Sequence, residues 1–226
     1  MSTLQNIATD LWCAKQASTF LLFHVGTRMT VVRLSSGTLL LHSPITITPD
    51  LKQEIDQLGE VGHIVCPNNF HHKYAQQAVS MYPGALLHGP APLHKKRKDL
   101  AFDAVFNDVP HADWQEQLTP INVHGSMMHE TVLFHPSSNT LITSDIIENF
   151  VTSAHLLTRI WLKLGGCHGK VGWPRILRLV YVNRAKARAS LNTVLELPFT
   201  RIILAHGDII EQDAKQKLKA GLSWIL

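Results

Sequence analysis

Cysteine is scarce: there are three, Cys13, Cys66 and Cys167, far apart and odd in number. They outline neither a disulfide framework nor paired Cys-x-x-Cys zinc knuckles, and a reducing compartment is the natural expectation. Charge is thin as well. Asp, Glu, Lys and Arg make up 17% of the chain against 45% hydrophobic residues, too apolar a balance for intrinsic disorder. With 13 glycines and 11 prolines in 226 residues, a low-complexity or collagen-like chain is excluded. No window approaches the roughly 18 uninterrupted apolar residues of a membrane helix. The opening MSTLQNIATDLW carries no basic region followed by an apolar core, so a cytoplasmic protein without a membrane partner is expected. What remains is a globular fold. A chain this long can bury roughly 70% of its unfolded surface around one core. No linker or residue-level repeat interrupts it, so residues 1–226 are expected to form a single domain.

The positive charge is uneven. Between Val151 and Ser190 lie Arg159, Lys163, Lys170, Arg175, Arg178, Arg184, Lys186 and Arg188 with no Asp or Glu, and Lys95 to Lys98 form a second basic cluster. Such a field attracts anions, among them a small acidic substrate, although a solvated helix face has the same composition. No aromatic-interleaved basic motif accompanies it, so a nucleic-acid partner is not expected. If Pro174 begins a helix, Arg175, Arg178, Arg184 and Arg188 share one face of it. A homo-oligomer stays open.

Three β-rich runs, Phe20 to Val25, Met29 to Leu34 and Thr38 to Leu41, read as a meander separated by GT and SSG turns. Thr48 and Pro49 offer a cap and first position for a helix that Gly59 ends. Then come a strand at His63 to Cys66, a PNNFHH loop, a helix over Tyr74 to Tyr82 and a strand at Ala85 to His88. Such a crossover joins parallel strands. Pro120 to His124, Thr131 to His135 and Thr140 to Thr143 return to strands, the last two joined by a PSSN turn. A basic helical excursion at about 151–190, a helix from about Ala185 to Leu195, a strand at Arg201 to Ala205 and a closing helix from about Glu211 complete the reading.

Polar residues sit at the ends of apolar strands. His71 and His72 follow the strand ending at Cys66, Asp145 follows LITS, and His206 follows IILA ahead of Gly207 and Asp208. A polar residue after an apolar strand is costly to place unless it is solvated or partnered, and loops at strand ends are where scaffolds present functional groups. Each has a bland reading: a solvent-facing His pair, a helix-capping Asp145, a His206 that bonds its own turn. His24, His63, His88, His94, His111, His135, His155 and His168 show no ligand spacing, and a satisfied structural imidazole is the default for them. Cys66 reads as a small buried hydrophobe rather than a metal ligand.

The order of elements, with TLITSDII around Asp145 and RIILAHGD around His206, resembles the metallo-β-lactamase superfamily. The resemblance spans most of the chain from Phe20 onward. It implies an α/β (α+β) fold, a four-layer αββα sandwich, with metal bound between the sheets. Asp145 matches the family's bridging aspartate and His206-Gly207 its final histidine turn. CPNNFHH stands where the family has a His-x-His-x-Asp-His loop, but the motif is degraded. If His71 and His72 take the Asp-His pair, Pro67 and Asn69 replace the first two histidines. A one-residue shift puts Asn68 and Phe70 there instead. Either register removes the three-histidine site; the first leaves His71, His72, Asp145 and His206 as metal ligands. His124 and His129, in VHGSMMHETV, are lesser candidates for the family's third histidine. His42 in LLLHSP stands where the family has a structural aspartate.

Three imidazoles and a carboxylate suit zinc or iron, and one ion is expected. The implied activity is that of a metal-dependent hydrolase acting on an ester, thioester or other small anionic substrate, with Asp145 orienting the attacking water as the catalytic residue. The lost histidines favour a second reading, a catalytically inactive module that keeps the fold for binding or regulation and holds no ion.

Overall fold

Pleated strands send alternate residues to opposite faces, and the apolar runs of this chain are long enough to use both. The computed structural model describes residues 3–226. It opens with a hairpin of β1 (Gln5–Ala8) and β2 (Leu11–Gln16), then a small hairpin of β3 (Thr19–Phe20) and β4 (Phe23–His24). Next come β5 (Thr27–Arg33) and β6 (Leu39–His42), antiparallel to each other. Three crossovers follow. Helix α1 (Pro49–Asp56) leads to β7 (Val61–Val65), α2 (Ala75–Met81) to β8 (Leu86–Gly89), and α3 (Ala91–Lys96) to β9 (Ala104–Val105). The seven-stranded sheet runs β1-β2-β5-β6-β7-β8-β9, antiparallel as far as β6 and parallel from there on. The α1 start matches expectation: Pro49 takes the first turn and the Thr48 hydroxyl accepts from the Leu51 amide at 3.2 Å.

A second sheet contains β10 (Thr119–Asn122), β11 (Thr131–His135) and β12 (Thr140–Ile142). β13 (Glu148–Asn149), α4 (Leu156–Gly165) and β14 (Val171–Gly172) follow, then a 3-10 turn at Arg175–Val180 and α5 (Arg184–Glu196). β15 (Arg201–Ile203) joins β12 in parallel, and α6 (Ala214–Gly221) closes the chain.

Three apolar clusters define four layers. Leu39, Leu41 and Ile64 pack beneath Leu51, Ile55, Ala75 and Ala78 of α1 and α2. Their strand neighbours Leu40 and Val65 point the other way and meet Leu133, Ile142 and Ile203 of the second sheet. Val132, Phe134, Leu141 and Ile202 face outward under Ala187 and Leu191 of α5 and Leu218 of α6. The order is therefore helices, sheet, sheet, helices, the αββα sandwich that the resemblance implied.

Several expectations change. The run Phe20 to Val25 is not one strand. Leu21 adopts a left-handed φ of 53°, and the returning arm is held on α4 by Phe23 stacked on Trp161 at 4.9 Å and by the His24 amide donating to Thr158. The edge hairpin of β1 and β2 was not anticipated. The arginines after Pro174 do not share a helix. The 3-10 turn stops at Val180, and Asn183 caps a separate α5 by accepting from the Lys186 amide at 3.1 Å. The last helix starts at Ala214 rather than Glu211. Cys13, Cys66 and Cys167 are free and buried. Among the described residues no helix is long and apolar enough to cross a membrane.

Candidate metal centre

β7 ends at Val65, and the chain beyond it turns on Asn68. This fully buried side chain accepts from the Phe70 and His71 amides at 2.8 and 2.9 Å, the local turn that Asn favours. Its side-chain amide donates to Asp145 Oδ2 at 2.8 Å and Glu130 Oε2 at 3.0 Å. One residue thus sets the position of His71 and reaches across the sandwich to the loop after β12. Glu130 completes that loop by accepting from the Ser144 and Asp145 amides at 2.7 and 2.8 Å. Burial raises the Glu130 carboxyl, helped by the Asp145 charge and opposed by these hydrogen bonds.

His206 arrives from the end of β15. Arg28, buried on the inward face of β5, donates to the carbonyls of Leu204 and Gly207 and so clamps the turn from the opposite sheet. Gly207 has a φ of 87°, and a side chain there would overlap the Asn149 carbonyl. This close approach of β13 explains the glycine after His206.

The three groups converge. His71 Nε2 lies 3.2 Å from each Asp145 oxygen, and His206 Nε2 lies 3.2 Å from Asp145 Oδ1 and from His71 Nε2. His71 Nδ1 pairs with Ser43 Oγ at 2.7 Å, and His206 Nδ1 donates to the Gly26 carbonyl at 2.7 Å. A carbonyl only accepts, so Nδ1 of His206 carries a proton and a neutral ring turns its Nε2 lone pair inward. Two imidazole nitrogens and a carboxylate this close suit a shared proton or cation. Burial would lower His206, but the Asp145 hydrogen bond and charge, with Glu148 and the Gly26 carbonyl, raise it to about 9. Burial pushes the Asp145 carboxyl up, yet the charge of His71 and the hydrogen bonds from His206 and His71 hold it well below the usual carboxylate range. The donor set fits a metal ion: ligands about 2.0–2.2 Å from zinc in tetrahedral array stand about 3.3 Å from one another.

His72 does not join them. It turns to α3 and its neighbour, where its Nδ1 accepts from Arg97 at 2.7 Å, and burial with the Lys96 and Arg97 charges pushes it down to about 4. His124 pairs with Asp108 at 3.2 Å, and His129 sits in a left-handed turn at φ 52°; neither belongs to the group. Burial pushes the Cys66 thiol up to about 12, in keeping with a packing residue. His42 is buried, its Nε2 without a partner among the described residues, and burial together with the His71 charge pushes it down to about 3.

A cavity of about 270 Å³ opens on the group. His71, Asp145, Glu148, His206 and Lys73 supply polar lining, and Phe20, Phe70, Trp161, Trp173, Leu177 and Val180 supply the apolar walls. The 151–190 segment therefore lines the cavity with aromatic and aliphatic side chains; its arginines do not. Glu148 is buried with Oε2 unpartnered among the described residues, and burial raises it to about 8, with His206 opposing and Asp145 adding to the rise.

Asn68, Glu130, Glu148, Ser43 and Arg28 escaped the sequence reading. A signal existed for the carboxylates: Glu130 leads into the strand TVLF and Glu148 follows the apolar pair Ile146-Ile147, where an unpartnered charge is expensive.

The fold recurs in solved structures. The flavodiiron core of Flv1 from Synechocystis sp. PCC6803 aligns with a TM-score of 0.70 at 15% identity, over 99% of this chain and 61% of that one. The chain thus spans about three fifths of that protein. A metallo-β-lactamase from Pontibacter korlensis aligns at 0.68 and 12% identity, over 100% and 99% of the two chains. FIM-1 from Pseudomonas aeruginosa, in its mono-zinc form, aligns at 0.66 and 11%, over 99% and 94%. Layers, strand order and these likenesses together define a metallo-β-lactamase-fold protein. More narrowly, residues 8–156 match the family described as a domain of unknown function (DUF4336), and the chain belongs to it. No curated protein matches the chain.

Proposed function

We propose that the protein is a metal-dependent hydrolase that holds one zinc or iron ion on His71, Asp145 and His206. The convergence of two imidazole Nε2 atoms and one carboxylate at 3.2 Å, with both Nδ1 atoms otherwise occupied, carries this reading. An ion bound there acidifies a coordinated water and polarises an acyl or phosphoryl oxygen. The chain's own residues do the rest. Asn68 and Glu130 orient Asp145, Ser43 and Gly26 orient the imidazoles, and such outer partners are worth 10–100-fold in metal affinity or activity. Asp145 stays ionised and would orient the attacking water by accepting a hydrogen bond from it. Trp161, Trp173, Leu177 and Val180 keep bulk water from the apolar end of the cavity, and Lys73 brings a positive charge to its wall.

This lining favours an ester or thioester with an apolar acyl part and an anionic group. Protein purified without chelator should lose about one equivalent of metal on His206→Ala, and with it hydrolysis of medium-chain acyl thioesters. Unchanged metal content in folded His206→Ala and His71→Ala proteins overturns the reading. The second reading, an inactive binding module, draws on Pro67 and Asn69 in place of metal-binding histidines; it predicts ligand binding in the cavity with no turnover of ester, thioester or phosphodiester substrates.

A further inference from the structure

We infer that the protein has a second divalent-metal site, built by His63, His111 and Asp113 on the inner face of the first sheet and separate from the group around Asp145.

His63 on β7 and His88 on β8 are diagonal neighbours on adjacent parallel strands, His63 opposite Leu86 and His88 opposite Val65, both buried and both facing inward. Neither is a random polar intrusion. The segment between β9 and β10 folds over them and delivers His111, Asp113 and Trp114 to the same spot. Asp113 Oδ2 lies 3.2 Å from His63 Nε2 and 3.4 Å from His111 Nδ1. Those separations match the roughly 3.3 Å expected between tetrahedral zinc ligands. All three ligand atoms lie within 4.8 Å of one another.

The hydrogen bonds show which nitrogens carry no proton. The Asp113 amide donates to His111 Nδ1 at 3.3 Å, so that nitrogen is unprotonated, and coordination there would exchange this long hydrogen bond for the ion while Asp113 Oδ2 stands 3.4 Å away. His63 Nδ1 is taken by His88 Nε2 at 3.1 Å. This is the outer contact that aligns a ligating imidazole, and it leaves Nε2 for the ion. His88 is thus a positioning residue. Trp114, buried, packs its ring 4.8, 4.9 and 5.0 Å from the His63, His88 and His111 rings and holds the rotamers. Two imidazoles and one carboxylate suit zinc, and the half-exposed Asp113 leaves the remaining coordination position open to water. An ion here pins the segment that leads into the second sheet.

The two groups share no residue, so they separate cleanly by mutation. Zinc is counted by elemental analysis in wild type, His206→Ala, and the His111→Gln/Asp113→Asn double variant, whose changed side chains are partly exposed. The double variant should lose about one zinc per chain relative to wild type, and the zinc-dependent rise in Tm should shrink. His206→Ala should keep that equivalent, and cobalt(II) chloride added to it should give the visible bands of a tetrahedral nitrogen–oxygen site that the double variant in the same background lacks. A double variant with wild-type zinc content and an unchanged Tm response overturns the inference, as does the absence of those bands. Loss of zinc on His206→Ala alone bears on the first site only.

Discussion

The side-chain amide of Asn68 donates to Asp145 Oδ2 at 2.8 Å while its carbonyl oxygen takes the His71 amide at 2.9 Å. The loops that carry His71 and Asp145, from opposite sheets, are therefore registered by one buried side chain.

Asn68→Ala strips partners from the partly buried Phe70 and His71 amides and from two buried carboxylates. Each buried group left unsatisfied costs about 1–3 kcal/mol. The variant should unfold at lower urea concentration and bind zinc 10–100-fold more weakly. Denaturant melts and a zinc titration check both; near wild-type behaviour in the two would show that Asn68 does not organise the loops.

Gly207→Ala should disturb the His206 turn specifically. A left-handed φ costs a non-glycine residue about 1–2 kcal/mol, and the added carbon meets the Asn149 carbonyl. The turn must shift, carrying His206 away from Asp145. A lowered Tm with loss of the metal equivalent that His206→Ala also loses is expected; Gly169→Ala, at a similar φ with nothing nearby, should lose stability alone.

Glu148 makes stability fall with rising pH. Its pKa is raised by burial from 4.5 to about 8, so the folded state holds a proton that the unfolded state has released. The contribution is full below pH 4.5 and is lost as pH rises through about 8. Glu148→Gln removes the titration. In urea melts across that range the variant should gain on wild type as pH increases; a constant difference refutes the assignment.

His42 acts at the acid end and in the opposite sense. Burial depresses it from 6.5 to about 3, so the unfolded chain takes up a proton that the folded one refuses. Stability is full above pH 6.5 and declines as pH falls toward about 3. His42→Leu should flatten this decline. If variant and wild type lose stability in parallel below pH 6.5, the imidazole is not the titrating group.

Much of the architecture was legible from local chemistry. Apolar runs of strand length, a Thr48-Pro49 cap, and polar residues placed right after apolar strands are all short-range features, and they led to β7, β12, β15, Asp145 and His206. The hairpin of β3 and β4 was not legible, because its bend depends on Trp161 and Thr158, more than a hundred residues away.

His71 and His72 are chemically identical neighbours, so no reading of composition or spacing could rank one above the other. The choice is made by Asn68, whose turn aims His71 at Asp145, and by Arg97 just after α3, which captures His72. His63, His88 and His111 are likewise unremarkable along the chain, spread over 49 positions. They meet because parallel strand pairing aligns β7 with β8 and a distant loop folds back over both. Strand ends and caps depend on neighbours within a few residues and can be read from the chain; ligand sets depend on side chains meeting across layers, and that is settled by packing.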